Sequence, residues 1–230
     1  MSSGIKAQCR DANVEIVRAG LVLLTWGNVS VSDGTLMAIK PSGVAYDDLT
    51  DEDIVVVRIA DGTVVDGRLK PSSDTPTHLH LYRVFPGLGA VVHTHSHFAV
   101  CFAQACLPIP CLGTTHSDHF HGTIPVTRDL TQEEVEAEYE QLTGVVIEET
   151  FRTWNIDPVS VPGVVVARHG PFAWGPDARH AVENAIVLEE VARMAYHTRE
   201  LNRTVTSAPS YLVDKHFLRK HGPGAYYGQK

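Results

Sequence analysis

The stretch AVVHTHSHFAV, residues 90–100, places three histidines within five positions of an otherwise apolar run. If this run is a buried strand, its side chains alternate, so His93 and His95 project to one face and Thr94 to the other. Two imidazoles on one face can reach a single cation, and neutral imidazole is a common zinc ligand. The alternative is a pair of hydrogen-bonded histidines in the core.

A third candidate ligand follows another apolar segment. His169 comes after VVVAR and directly before a Gly-Pro turn. Because a catalytic zinc site typically has three protein ligands and one exchangeable position, His169 favours the metal interpretation. Asp74, in KPSSDTPTH, lies beside a predicted helix start, where the alternative is an N-cap. Weaker candidates are His78, His80, His97, His116, His119 and His121.

The composition is that of an ordinary globular protein, with 230 residues, 43% hydrophobic and 20% charged. We expect a single domain over residues 1–230, because no linker divides the chain. The net charge of −8, without a Lys/Arg stripe, argues against nucleic acid or an anionic membrane as a partner. A small anionic substrate remains compatible with it.

The sequence also predicts a cytoplasmic protein. The first twenty residues lack the pattern of a signal peptide, and no apolar run approaches the ~20 residues that a membrane helix needs. Cys101, Cys106 and Cys111 recur at intervals of five, which fits neither a CxxC pair nor a disulfide framework. We expect them to be small buried hydrophobic residues in a reducing compartment.

Periodicity and turn signals predict alternating hairpins and helices. Asp33-Gly34 and Asp61-Gly62 mark hairpin turns between alternating segments. Helices are predicted over 5–19, 75–85, 131–154, 178–201 and 210–220, with a capping box from Thr131 and Glu134 and an N-cap at Asp177. Hairpins with helices outside them indicate a layered α/β domain with a mainly antiparallel sheet.

Two loops suit an anionic group. IKPSG, residues 39–43, and KPSSD, residues 70–74, supply glycine and serine donors, and the second opens a helix whose N-terminus favours phosphate. For either loop alone an ordinary turn is the preferred alternative, and Gly27-Asn28 in TWGNVS is ambiguous by itself. No GxGxxG or P-loop is present, so a nucleotide is not indicated.

Taken together, ten segments resemble a known family nearly end to end. They are LTWGNVS, IKPSGV, KPSSDTPTH, VVHTHS, GTTHSD, GTIPVTR, HGPFAWG, NAIVLEEVA, LRKHG and AYYGQ. This set is similar to the L-ribulose-5-phosphate 4-epimerases of the class II aldolase/epimerase superfamily. The resemblance implies a three-layer α/β/α fold and a homotetramer with active sites between subunits.

The resemblance also implies roles for individual residues. It implies a zinc ion, replaceable by manganese or cobalt, held by Asp74, His93, His95 and His169. It implies an acid/base pair of Asp118 and Tyr227, with Glu140 in support. Substrate-binding positions would be Gly27, Asn28, Lys40, Ser42, Gly43, Ser72, Ser73 and Arg219. The alternatives are an exposed helix carboxylate for Glu140, a surface charge for Arg219 and a disordered tail for Tyr227.

The implied substrate is a phosphorylated ketose, and the implied reaction interconverts L-ribulose 5-phosphate and D-xylulose 5-phosphate. The C4 hydrogen of this substrate is not acidic, because C4 is not adjacent to the carbonyl. Breaking and re-forming the C3–C4 bond by retro-aldol and aldol steps avoids the problem. Each C4 alkoxide then needs its own proton donor and acceptor, which explains why two such groups are required.

Two rival functions remain within the same fold. An aldolase of the superfamily would release the aldehyde, but such enzymes tend to carry Glu where this chain has Asp74. An adducin-like non-catalytic module would lack the metal ligands, all four of which are present. One departure from the epimerases is DHFHG, where DYFYG is expected, which introduces His119 and His121 beside Asp118.

Overall fold

A seven-stranded antiparallel sheet forms the centre of the protein in a computed structural model that describes residues 2–227. Gly228 and Gln229 of the AYYGQ segment lie outside the described residues. The strand order is β4-β3-β2-β1-β5-β7-β6, and every ladder is antiparallel. The strands are β1 (Asn28–Ser32), β2 (Leu36–Ile39), β3 (Val55–Arg58), β4 (Val64–Asp66), β5 (Ala90–His93), β6 (Gly163–Val165) and β7 (Pro171–Gly175).

Eight α-helices surround this sheet in the described part of the chain, and a short 3₁₀ turn covers Tyr46–Asp48. The helices are α1 (Ser2–Arg18), α2 (Thr75–Val84), α3 (His97–Gln104), α4 (Thr114–Ser117), α5 (Gln132–Glu136), α6 (Tyr139–Thr153), α7 (Ala178–Leu201) and α8 (Ser210–His221). The α/β class with an antiparallel sheet is therefore confirmed.

Helices cover both faces of the sheet. Alternate strand residues point to opposite faces, and both faces carry buried apolar side chains. Met37 and Ile39 of β2 pack with Leu79 of α2 on one face, where α2 also packs against α6. On the other face α1 and α7 pack against β1 and β7. A Cβ at Gly175 would lie 2.6 Å from the Ala181 nitrogen, so only glycine allows α7 this close to β7.

Most predicted local signals are confirmed. Asp33-Gly34 joins β1 to β2, and Asp61-Gly62 joins β3 to β4, with both glycines at positive φ. The Thr131–Glu134 capping box is present at the start of α5, and the Asp177 side chain accepts a hydrogen bond from the His180 amide at the start of α7.

Three predictions about local structure were wrong. The helix over 131–154 is two helices, because Ala137 has φ −89° and ψ −103° and interrupts the ladder. Strand β5 ends at His93, so His95 lies in the following turn and not on the strand. Cys111 is buried but Cys101 is exposed and Cys106 partly exposed, because Cys101 occupies the outer face of α3.

No helix within residues 2–227 is long and apolar enough to cross a membrane.

Candidate active site

Three imidazoles converge at the end of β5. The Nε2 atoms of His93 and His95 lie 3.2 Å apart, and one ring nitrogen of each of His93, His95 and His169 lies within 4.8 Å of the other two. His93 ends β5, and His169 lies in the turn that joins β6 to the neighbouring β7. Because β5 and β7 pair directly, the two segments meet at one edge of the sheet. This group can hold a divalent cation.

The surroundings of the histidines orient their rings. His93 Nδ1 lies 3.0 Å from the Pro171 carbonyl oxygen, to which it donates, so its Nε2 carries the free lone pair. The ring also stacks on Phe172, with centroids 4.2 Å apart. His169 Nδ1 lies 3.1 Å from the hydroxyl of Tyr139. These contacts fix the side chains before any ion binds.

Two of the imidazoles are neutral at physiological pH, although His95 is partly open to solvent. Desolvation and the neighbouring His93 and His95 lower the pKa of His169 to about 3. The pKa of His95 is also lowered, chiefly by burial and then by His93. Because a metal ligand must present a lone pair, neutral imidazoles at physiological pH suit a cation site.

Asp74 lies beside the three histidines without belonging to their close group. It occupies the N-cap position of α2, but its side chain forms no capping hydrogen bond, so the N-cap alternative is wrong. Its carboxylate instead accepts a hydrogen bond from the Asn28 amide at 2.6 Å. Burial alone would raise the pKa of Asp74, but His93, His78 and the Asn28 amide together lower it, so the carboxylate is ionised.

One polar cavity of about 320 Å³ joins the histidines to the predicted substrate loops. Its walls carry the three histidines, Asp74 and all of the predicted substrate-binding residues except Arg219: Gly27, Asn28, Lys40, Ser42, Gly43, Ser72 and Ser73. Glu140 also lines the cavity and is partly buried, so the exposed-carboxylate alternative is wrong. The start of α6, just after the helix break, brings it there.

Hydrogen bonds tie the two serine loops together. The Ser72 amide donates to the Lys40 carbonyl oxygen at 3.2 Å, and the Ser73 amide donates to Ser42 Oγ at 3.1 Å. Asn28 Nδ2 donates to Ser72 Oγ at 3.1 Å. The Asn28 Oδ1 atom is buried and accepts no hydrogen bond from the described residues.

Asp118 and Arg219 form a second group elsewhere in the chain. Arg219 Nη2 donates to Asp118 Oδ2 at 2.8 Å, and His216 Nδ1 lies 3.1 Å from Asp118 Oδ1. Burial tends to raise the pKa of Asp118, but the bonds from Arg219 and His216 lower it below its ordinary value. The carboxylate is thus ionised at neutral pH and paired with the Arg219 guanidinium.

Tyr227 belongs to this second group. Its amide donates to the Arg219 carbonyl oxygen at 3.1 Å, and the Arg219 guanidinium lies 4.6 Å from the centre of its ring. The tail up to Tyr227 therefore folds back on α8. Asp118 and Tyr227 line a separate cavity of about 840 Å³. Within one chain, the predicted acid/base pair and the histidine group do not share a cavity.

Several residues of the site were not predicted from the sequence. Tyr139 and Trp26 line the histidine cavity, and Tyr139 contacts His169 directly. Glu189, on α7, accepts hydrogen bonds from the amides of Phe98 and Ala99, at 2.8 and 2.9 Å, and so caps α3 just after the histidine segment. The position of Tyr139 directly before Glu140, a predicted site residue, was the sequence feature that could have indicated Tyr139.

Comparisons with known proteins identify the family of the chain. The sequence model of the family described as "Class II Aldolase and Adducin N-terminal domain" matches residues 7–196. The chain is 57% identical over 228 residues to the L-ribulose-5-phosphate 4-epimerase UlaF of Salmonella paratyphi B, covering 98% of this chain and 99% of that protein. The same identity and coverage are found with the protein of that name from Salmonella typhi.

A solved structure of an L-fuculose 1-phosphate aldolase has the same fold. It superposes with a TM-score of 0.78 at 24% identity, covering 94% of this chain and 95% of the aldolase. At that identity the likeness concerns the fold alone, whereas the family match and the 57% identity extend over most of the sequence. The chain therefore belongs to the class II aldolase and adducin N-terminal domain family, and within it to the family of the L-ribulose-5-phosphate 4-epimerases.

Proposed function

We propose that this protein is a zinc-dependent enzyme that interconverts L-ribulose 5-phosphate and D-xylulose 5-phosphate. The observation that carries the proposal is the single cavity in which three convergent imidazoles face the Lys40 and serine loops. Such a cavity offers a cation site at one end and anion-binding donors at the other. The name of the Salmonella relatives supports the same reaction.

The three histidines would hold the ion, and Asp74 would be the fourth ligand. Neutral imidazoles and one ionised carboxylate match the donor set that zinc accepts, and manganese or cobalt could use the same ligands. When bound, the ion supplies Lewis-acid stabilisation of negative charge on the ketose oxygens.

Residues at the other end of the cavity suit the phosphate group. Lys40 supplies a cation, and the Ser42 and Ser73 segments supply hydroxyl and backbone donors. Asn28 lies between the two ends, where its amide nitrogen donates to both Ser72 and Asp74 and would orient them toward the substrate. The ketose would therefore lie with its phosphate at the serine loops and its carbonyl end at the histidines.

Asp118 and Tyr227 would handle the protons at C4. A base removes the proton of the C4 hydroxyl as the C3–C4 bond breaks, which leaves an enediolate and glycolaldehyde phosphate. After the aldehyde rotates, the C3–C4 bond re-forms on its other face, and an acid returns a proton to the C4 oxygen. Asp118 suits the base because it is held ionised, and the phenol of Tyr227 suits the acid.

A second copy of the chain would complete the site. The acid/base pair and the histidine group line separate cavities of one chain, so Asp118 and Tyr227 reach the substrate only if they come from a neighbouring subunit. A homotetramer with sites between subunits satisfies this requirement. We include that assembly, and a cytoplasmic location, in the proposal.

An aldolase is the second candidate, because the same bond cleavage with release of the aldehyde would use the same cavity. The solved aldolase of similar fold motivates it. The direct test is turnover of L-ribulose 5-phosphate by purified zinc-loaded protein, with chelated protein as the control. We expect conversion only in the zinc-loaded sample; a zinc-loaded protein without turnover would contradict the proposal.

A further inference from the structure

Tyr46 contacts two residues that line the polar cavity, Lys40 and Gly27, although it does not line the cavity itself. It begins the 3₁₀ turn that follows the Lys40 loop, and it is 7% exposed. Its ring faces the Lys40 ammonium, and its hydroxyl donates to the Gly27 carbonyl oxygen at 2.7 Å. One side chain therefore contacts both Lys40 and the segment that leads into β1.

Lys40 needs such a contact because its charge is buried. The residue is 2% exposed, and its ammonium donates only a long hydrogen bond to the Pro41 carbonyl oxygen, at 3.3 Å, among the described residues. The nearby Cys9 is a buried thiol whose pKa is raised, so it supplies no negative charge at neutral pH. Nζ lies 4.6 Å from the centre of the Tyr46 ring, within the range of a cation–π interaction.

The hydroxyl contact reaches the histidine end. Gly27 has φ +96°, and a Cβ on it would lie 2.6 Å from the His93 carbonyl oxygen, so its backbone packs directly against the strand that ends in His93. The hydrogen bond from the Tyr46 hydroxyl to the Gly27 carbonyl oxygen therefore fixes the position of Gly27 relative to the strand that ends in His93.

We propose that Tyr46 is a positioning residue, whose ring holds the Lys40 ammonium for a phosphate group and whose hydroxyl fixes Gly27 against His93. The inference rests on the proposed function for the identity of the anion. The competing explanation is that Tyr46 only fills the core beneath the sheet. The two explanations differ in whether Lys40 mediates the effect of a substitution.

The test uses inorganic phosphate as the probe and zinc-loaded protein. Tyr46→Phe keeps the ring and removes the hydroxyl, whereas Tyr46→Leu removes both. Tyr82→Phe is the matched control, because Tyr82 is a partly buried tyrosine whose hydroxyl also donates to a backbone carbonyl, that of Ser30 at 3.1 Å. Phosphate affinity is measured by calorimetry, and the mobility of residues 22–28 by hydrogen exchange.

We expect Tyr46→Leu to weaken phosphate binding about tenfold and Tyr46→Phe by less than about threefold. Both Tyr46 variants should exchange amide hydrogens in residues 22–28 faster than the wild type, and Tyr82→Phe should change neither quantity. In a Lys40→Met background, Tyr46→Leu should cause no further loss of phosphate affinity, because the ring would act through Lys40.

An equal loss in Tyr46→Leu with and without Lys40 would overturn the inference, and so would a wild-type protein that binds no phosphate.

Titration of Lys40 gives an independent readout by NMR of 13C-labelled lysine. Burial already lowers the pKa of Lys40. Because the ring stabilises the ammonium form, its removal should lower this pKa further. A higher Lys40 pKa in Tyr46→Leu, as water filled the space, would contradict the ring's role. A protein that passes these tests but does not turn over the ketose phosphate would refute only the proposed activity.

Discussion

His93 and His95 present their Nε2 atoms to each other at 3.2 Å, while the opposite ring nitrogen of His93 donates to the Pro171 carbonyl oxygen. Two lone pairs at this separation repel unless a proton or a cation lies between them. The third imidazole, His169, completes a group that matches the coordination sphere of one divalent ion. Burial lowers the pKa of His169 to about 3, so protonation does not compete with an ion near neutral pH.

Substitution of His95 by Asn should abolish zinc binding, because it removes one of three convergent ligands. Zinc content is measured by elemental analysis after gel filtration, and folding is checked by circular dichroism. His97→Asn is the matched control, because His97 is exposed at the start of α3 and outside the histidine group. A zinc-replete His95→Asn protein would refute the ligand assignment.

Asp118→Asn should reduce kcat about hundredfold or more while zinc content stays unchanged, because the proposed proton acceptor is lost and the proposed metal ligands lie in another cavity. Steady-state kinetics and metal analysis on the same preparation check both parts. Loss of zinc in this variant would instead place Asp118 in the metal site and contradict the separation of the two groups.

Mixing two inactive variants tests whether neighbouring copies share a site. His95→Asn lacks the metal end and Asp118→Asn lacks the acid/base end, so subunits exchanged between them can form some complete sites. With random pairing we expect about one quarter of wild-type activity to return. Unmixed samples treated identically are the control, and a mixture that stays inactive despite subunit exchange would contradict a site built from two chains.

Glu189→Ala should lower the free energy of unfolding by about 1–3 kcal/mol, because two amides at the start of α3 lose their acceptor. Zinc affinity should fall as well, since this helix end follows the histidine segment. Glu190→Ala on the same helix is the control, because Glu190 pairs with Arg193 at the surface and with no other charged residue among 2–227. Chemical denaturation and chelator competition give the two quantities; equal effects of both substitutions would refute the capping role.

Metal-free protein should lose stability as the pH falls from about 6.5 to 4. His116 is 4% exposed, and burial lowers its pKa to about 4, below the ~6.5 of an unfolded histidine. The unfolded state therefore binds the proton first, and the free energy of unfolding falls by up to ~1.4 kcal/mol per pH unit for this group. Its Nε2 contacts the Gly122 carbonyl oxygen at 2.7 Å. Urea unfolding of His116→Gln should show a shallower slope; an unchanged slope would contradict this assignment.

Local signals predicted much of the fold because each acts within a few residues. The Asp-Gly turns and the Thr131–Glu134 capping box depend only on nearby backbone geometry, and they are confirmed. The break at Ala137 was missed, since the apolar period continues across it and the helix ends there through an unusual backbone conformation. It nevertheless brings Tyr139 and Glu140 into the cavity.

Contacts between distant segments were beyond the reach of spacing arguments. Asp118 and Arg219 are 101 positions apart, and their ion pair depends on α8 packing against α4. Spacing suggested His93, His95 and His169 because these histidines end or follow two apolar segments that were predicted to be buried strands, but the placement of Asp74 depended on the resemblance to a family. The separation of the acid/base pair from the histidine group follows only from the folded chain.

The most direct test of the proposed reaction follows the carbon atoms of the substrate. L-ribulose 5-phosphate labelled with 13C at C4 and C5 is incubated with zinc-loaded protein in the presence of unlabelled glycolaldehyde phosphate, and the products are read by NMR. We expect D-xylulose 5-phosphate that keeps its full label, with no labelled aldehyde in solution, because the fragments stay bound until they rejoin. Labelled free aldehyde, or product diluted with unlabelled carbon, would contradict it and identify the enzyme as an aldolase.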